Sequence, residues 1–217
     1  MLAAEAIGVK CNFPFLQSRR SWHWLDSALL LLVFLSAALV FLPALGSAGI
    51  IDSSEGYYAE GAREMVESGD YITPHLNYAP WYEKPVLTYW LMAASYKVFG
   101  VSEFAARFPA ALSGILLTGF IFSLSRVFLS RRAAFLAAMV LISQPLFVVV
   151  GHLSLTDMPF TLFVTVALGG LFSTVSGGPS FYLPLAYVAL GLSLLSKGPL
   201  GLVIVLMVFD AYLLWTC

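Results

Sequence analysis

Charge is scarce in this chain. Only 11% of its 217 residues are Asp, Glu, Lys or Arg, against 60% that are hydrophobic, whereas soluble domains carry about 25% charged residues. Such a composition marks an integral membrane protein. Cysteine is sparse too: Cys11 and Cys217 stand near opposite ends, in neither a Cys-x-x-Cys nor a Cys/His cluster, so no disulfide framework or zinc site is indicated. A net charge of −1 argues against nucleic acid as a partner.

What fills the chain is apolar sequence. Runs of about 18 residues or more read as spanning helices, and five or six are present: Ser27 to Leu45, Pro109 to Leu129, Ala133 to Val150, Pro159 to Val175, Phe181 to Leu195 and Leu200 to Trp215. The fifth is short and is able to join the sixth as a broken pair around Ser196-Lys197-Gly198-Pro199. The first run lies 26 residues in, too late and too long for a cleaved leader, so it is expected to remain as an anchor. Arg19 and Arg20 precede it, and Arg126, Arg131 and Arg132 crowd a later short loop. The positive-inside rule places both groups in the cytoplasm. Residues 1–26 are then a cytoplasmic segment and 27–217 a transmembrane domain, with a large outer loop over 46–108. By alternation, the loop His152 to Met158 and Lys197 return to that outer side. Trp22 and Trp24 suit an interfacial belt.

One long stretch is polar. Asp52 to Pro85 holds seven of the twelve acidic residues: Asp52, Glu55, Glu60, Glu64, Glu67, Asp70 and Glu83. Asp52, three residues before Glu55, fits a helix start in which both acids cap free amides. Tyr58, Ala62, Met65 and Val66 then recur on one face, predicting an amphipathic surface helix that Gly69 ends. Tyr71 to Pro85, with three prolines, reads as an irregular wall. The run VLTYWLMAASYKVF is too short for a confident span and reads as a second surface helix. If it spanned, Arg126, Arg131 and Arg132 would lie outside, against the charge rule.

Two polar residues stand at the ends of later spans. Asp157, next to Met158-Pro159, reads equally well as an N-cap or as a site acid. Lys197 is either an interfacial snorkelling residue or a charge lining a polar cavity, and the second reading weighs more. His75, alone in a proline-rich wall, reads as structural rather than as a metal ligand.

In order and spacing, YAEGAREMVESGDYITPHLN, WYEKPVLTYW, FGVSEFAARFPAAL, TDMPF and LSKGPLG resemble the bacterial lipid-linked-sugar glycosyltransferases of the dolichyl-phosphate-mannose protein mannosyltransferase-like superfamily. The resemblance is greatest to the aminoarabinose transferases that modify lipid A. It covers roughly Ile51 to Leu202 and implies an all-α membrane fold of the GT-C type, a multi-span bundle with amphipathic surface helices in the first outer loop. It further implies that the chain is the N-terminal part of a longer protein. The activity implied is inverting transfer of a sugar from a polyprenyl-phosphate donor to a lipid or protein acceptor outside the inner membrane.

Motif by motif, the resemblance assigns Lys84 and Lys197 to the donor phosphate with help from Tyr58, Glu83 to a divalent metal ion, and Asp157 to the acid of the second outer loop. Relatives carry Asp-Glu before the YAE segment, and here Ser54 stands in place of the Asp. Asp52 or Glu55 is therefore the expected base, with Asp52 preferred. Two other readings stay open: a catalytically altered membrane partner of the same fold, which Ser54 favours, and a transporter, which would place its charges within spans rather than at their edge.

Overall fold

The computed structural model describes residues 22–50 and 52–216; Cys11, Arg19, Arg20 and Cys217 lie outside the described residues. Among the described residues the first helix, α1 (Trp24–Phe41), is one of three long and apolar enough to cross a membrane, with α4 (Glu103–Phe128) and α7 (Asp157–Val175). Between α1 and α4 the polar segment folds into two shorter helices, α2 (Ser53–Ser68) and α3 (Leu87–Phe99), and a two-strand ladder. After α4 come α5 (Arg131–Ile142) and α6 (Pro145–Gly151), and after α7 come α8 (Tyr182–Lys197) and α9 (Leu200–Thr216).

Local chemistry explains most boundaries. Asp52 caps α2 by accepting the Ser54 amide at 2.7 Å, and Gly69 ends that helix in the left-handed conformation, φ 75°, which glycine adopts without a steric penalty. The stretch expected to be an irregular wall contains a small hairpin instead: β1 (His75–Leu76) pairs antiparallel with β2 (Ala79–Pro80). The two residues between them, Asn77 and Tyr78, both have positive φ, 53° and 61°, the geometry of a type I′ turn. Glu64 of α2 fixes that turn by accepting the Tyr78 amide at 2.9 Å. A tyrosine in this conformation costs energy, and the bond to a buried carboxylate holds it there.

The run expected as one span over 133–150 is bent by 65° between α5 and α6. Pro145 lacks an amide proton and drives Gln144 into extended backbone, φ −73° and ψ 120°, so the helix stops and restarts. α8 and α9 are separate segments that reverse at Gly198 and Pro199, and Tyr212 of α9 meets Phe172 near the end of α7, with ring centroids 5.1 Å apart. The second surface helix, α3, forms as expected and packs on α2 and α4.

Two polar clamps bracket the bundle. At one end Asp26 of α1, fully buried, accepts from Arg126 of α4 at 2.7 Å and from Arg131 of α5 at 2.8 Å. At the other end, Arg107 of α4 joins α2 and the turn after α1. Between them the packing depends on close approach. The Phe41 ring is buried between Gly114 of α4 and Gly151 of α6, and a Cβ at either glycine would run into it. Small residues let backbones approach where lipid offers no hydrophobic drive for helix association.

Gly151→Ala should therefore overpack the Phe41 site and cost about 1–3 kcal/mol. Reversible unfolding in mixed micelles checks this, and an unchanged midpoint would show that Phe41 is free to move aside.

Candidate active site

The polar segment is fastened to the bundle by one buried ion pair. Glu55, only 2% exposed, accepts from Nε and Nη2 of Arg107, each at 3.1 Å. Its Oε1 also takes the Ser154 amide at 2.7 Å and the Ser154 hydroxyl at 3.0 Å. Arg107 spends its other N–H groups on the backbone: Nη1 donates to the carbonyls of Leu45 and Ala48, and Nη2 to that of Gly49. All five guanidinium donors are thus placed. Burial alone would raise the Glu55 carboxyl; the Arg107 guanidinium and the Ser154 donors outweigh it and hold the group below its ordinary 4.5.

Ser154 sits three residues before Asp157, so this clamp also sets the start of α7. Thr156, rather than Asp157, occupies the N-cap position there and makes no side-chain cap bond. Asp157 is released for a different partner. Its Oδ1 accepts from Lys197 Nζ at 2.6 Å, and the pair is partly open to solvent, 47% and 25% exposed at the two side chains. The Lys197 ammonium also lies 5.5 Å from the centroid of the Phe160 ring.

Tyr58 of α2 lies at the same end of the bundle as this pair. Burial pushes its hydroxyl above the ordinary 10.0, partly offset by a bond to the Thr156 side chain, while the charges of Glu83 and Asp157 raise it further. Those influences place Tyr58 within electrostatic range of both acids. Glu83 and Lys84 are neighbours at 3.8 Å, each substantially exposed, in the turn that leads into α3. α3 in turn packs against α8, the helix that ends in Lys197. Tyr58, Glu83, Asp157 and Lys197 are therefore gathered at one end of the bundle, and Lys84 stands beside Glu83.

The other sequence candidates, Asp52 and Glu55, have their hydrogen-bond partners outside those four side chains. Asp52 is exposed and caps α2. Glu55 does not reach back to a free amide but is held by Arg107 and Ser154. Among the described residues no group of three His, Cys, Asp or Glu side chains could hold a metal ion. Glu83 has a lysine for its nearest charged neighbour. That donor set does not fit a divalent ion. Arg107, Ser154 and Thr156 were not singled out from the sequence. Arg107 carried a signal, because an arginine near the head of a spanning helix needs a buried partner; the two hydroxyl residues carried none.

A family model described as dolichyl-phosphate-mannose-protein mannosyltransferase matches residues 83–217. The chain belongs to this family. Among curated proteins, an uncharacterized protein of Aquifex aeolicus is 32% identical over 185 residues, covering 85% of this chain and 37% of the relative. The undecaprenyl phosphate-alpha-4-amino-4-deoxy-L-arabinose arabinosyl transferase 2 of Proteus mirabilis is 34% identical over 182 residues, covering 82% of this chain and 32% of the relative. The crystal structure of ArnT from Cupriavidus metallidurans bound to undecaprenyl phosphate matches with a TM-score of 0.77 and 28% identity, over 87% of this chain and 37% of that one. The GT-C fold expected from the motifs is the fold shared with ArnT, and the chain is an inner-membrane protein. It spans about a third of the length of these relatives.

Glu55→Gln leaves Arg107 as an incompletely paired buried cation and should cost about 3–5 kcal/mol. Because the folded pKa of Glu55 is depressed, its contribution is complete above pH 4.5 and is lost as the pH falls below that value. Thermal unfolding of the solubilised protein, followed from neutral pH to about pH 3, should show an acid limb that is reduced in the Gln variant. An identical limb in both would assign it to other carboxylates.

Proposed function

We propose that this chain carries the donor end of a membrane glycosyltransferase that moves a sugar from a polyprenyl phosphate to an acceptor hydroxyl. The acceptor is a lipid of the lipid A type or a protein, on the extracytoplasmic face of the inner membrane. The observation that carries this reading is the Asp157–Lys197 pair beside Tyr58 and Glu83, at the bundle end opposite the arginine cluster. The arginines Arg126, Arg131 and Arg132 favour a cytoplasmic location for their own end. The resemblance in fold and sequence to proteins named as undecaprenyl-phosphate arabinosyl transferases supports the donor class. On the same reading, residues 1–26 are a cytoplasmic segment and 46–108 an extracytoplasmic loop of one transmembrane domain.

In an inverting transfer the acceptor oxygen bonds to the anomeric carbon as the carbon–oxygen bond to phosphate breaks. The phosphate leaves with the electron pair, and a base takes the acceptor proton. Lys197 and Lys84 are suited to receive the charge that grows on the departing phosphate, and Tyr58 to donate a hydrogen bond to it. Lys197 comes with its charge held in place by Asp157. The base must be a carboxylate with an accessible oxygen. Asp52 is exposed and uses Oδ1 in its cap bond. Glu55 is buried with both oxygens engaged, which suits positioning better than proton transfer. Asp157, partly exposed with Oδ1 held by Lys197, is a second carboxylate able to serve. The replacement by Ser54 of the aspartate found in relatives favours a second reading, an altered partner protein of the same fold.

Transfer from a synthetic undecaprenyl-phosphate sugar, assayed with the full-length protein in vesicles, separates these readings. Lys197→Ala and Lys84→Ala should each lower kcat about 10²–10³-fold. Asp52→Asn should abolish turnover with normal folding. If Asp52→Asn stays active while Asp157→Asn does not, Asp157 is the base. Absence of transfer by the wild type would favour the partner reading.

A further inference from the structure

The clamp at the other end of the bundle is not balanced in charge. Asp26 receives Nε of Arg126 at 2.7 Å and Nε of Arg131 at 2.8 Å on Oδ1, and Nη2 of each at 3.3 Å on Oδ2. The His23 amide adds a fifth bond at 2.8 Å. One carboxylate therefore faces two guanidinium ions, and among the described residues no second acid pairs with either arginine. Arg126 is itself buried, 5% exposed. Its hydrogen bonds are those two to Asp26 and one from Nη1 to the Leu129 carbonyl at 2.9 Å. Of five guanidinium N–H groups, three are so placed. Arg107, at the opposite end of the same helix, places all of its own.

Arg126 also lines a cavity of about 380 Å³, walled by Trp22, Ser123, Val127, Pro179 and the Phe181–Tyr182 pair. Phe181 and Tyr182 are stacked with centroids 4.3 Å apart. Trp22 is anchored by its Nε1–H to the Ser27 hydroxyl at 2.9 Å and meets Phe122 edge-on. Trp22 and Phe181 are about half exposed, so the mouth is aromatic and open while the arginine lies at the back. Uncompensated positive charge next to a low-dielectric cavity calls for an anion. Amphipathic aromatic rings settle at headgroup depth, and basic pockets between spanning helices take anionic lipid headgroups.

The geometry points to a phosphate-binding site here for an anionic phospholipid. The headgroup phosphate accepts from the remaining Arg126 N–H groups, and Phe181 and Trp22 flank the glycerol and upper acyl segments. The site is separate from the one around Asp157. Arg107 and Arg126 are 19 residues apart on α4, roughly 28 Å along a helix rising 1.5 Å per residue, so the two sites open at opposite leaflets. A lipid bound here would neutralise the clamp that joins α1, α4 and α5.

The test titrates the full-length protein, in an uncharged detergent, with phosphatidylglycerol, phosphatidylcholine or inorganic phosphate, reading Tm and bound lipid by native mass spectrometry. Phosphatidylglycerol should raise Tm saturably, and phosphatidylcholine should not. Two variants spare the Asp26–Arg126 pair: Ser123→Phe fills the cavity, and Arg131→Gln removes the excess charge. Each should weaken phosphatidylglycerol binding about tenfold or more while the lipid-free Tm shows that the chain is folded. A shift produced by inorganic phosphate alone, and lost in the same variants, would support the anion site and assign it to a soluble phosphate. Equal stabilisation by both lipids, or a phosphatidylglycerol shift unchanged in both variants, would overturn the proposal.

Discussion

The pairing of Glu55 with Arg107 is the constraint on which the site-bearing end depends. A surface helix such as α2 has no intrinsic reason to sit at one place over a membrane bundle. Here it is held by a carboxylate that is buried completely and meets four bonds from two different segments. Arg107 converts that local contact into a global one, because its other donors hold the turn after α1 through the carbonyls of Leu45, Ala48 and Gly49. Two charges leave water at this point, which costs energy unless every donor and acceptor is satisfied. They are, and the result is a junction with a single geometry. Tyr58 lies one turn along from Glu55, and Asp157 three residues beyond Ser154, so the same junction aims both.

Charge is otherwise kept out of the middle of the bundle. Most ionisable side chains lie at its two ends or in the polar segment, and the interior between them is packed by aromatic rings against glycines. Phe41 between Gly114 and Gly151 is the clearest case. Such packing leaves little room for α4 and α6 to slide, so the two polar ends stand in fixed relation. The bend at Pro145 shortens the reach of the third crossing and brings the loop with Ser154 onto Glu55. A straight helix over 133–150 would carry that loop elsewhere.

The motif resemblance sets an aspartate where Ser54 stands, and this difference bears on the proposed chemistry. Ser54 now offers its amide to Asp52, and Glu55, the acid next to it, serves as a buried strut. On the proposed reading, phosphate binding falls to the two lysines and proton transfer to a carboxylate at the exposed helix start or to Asp157. A carboxylate shifted by about 1 Å already loses much of its value as a base, so the proposed chemistry turns on where Asp52 sits relative to an acceptor.

How much of this could be read from residues alone follows the range of the forces involved. The apolar runs, the two surface helices, the caps at Asp52 and Gly69, and the gathering of Asp157 and Lys197 at one end were legible, because hydropathy, capping and alternation act within a few residues or follow from topology; of the five or six spans expected, three helices among the described residues are long and apolar enough to cross a membrane, or four with the bent pair. The five ordered motifs carried the family. The hairpin at Asn77-Tyr78 was hidden by its prolines, and the bend at Pro145 by the apolar run around it. The roles of Glu55, Arg107, Ser154 and Asp26 were not legible at all. Each is fixed by partners 52 to 105 residues away, and a carboxylate in sequence looks the same whether it caps a helix, holds a buried arginine or takes a proton. Composition and periodicity determined which segments are apolar and which helices they form; only tertiary structure, by choosing which charges lose water together, decided which acid is a buried strut and which stays open to solvent.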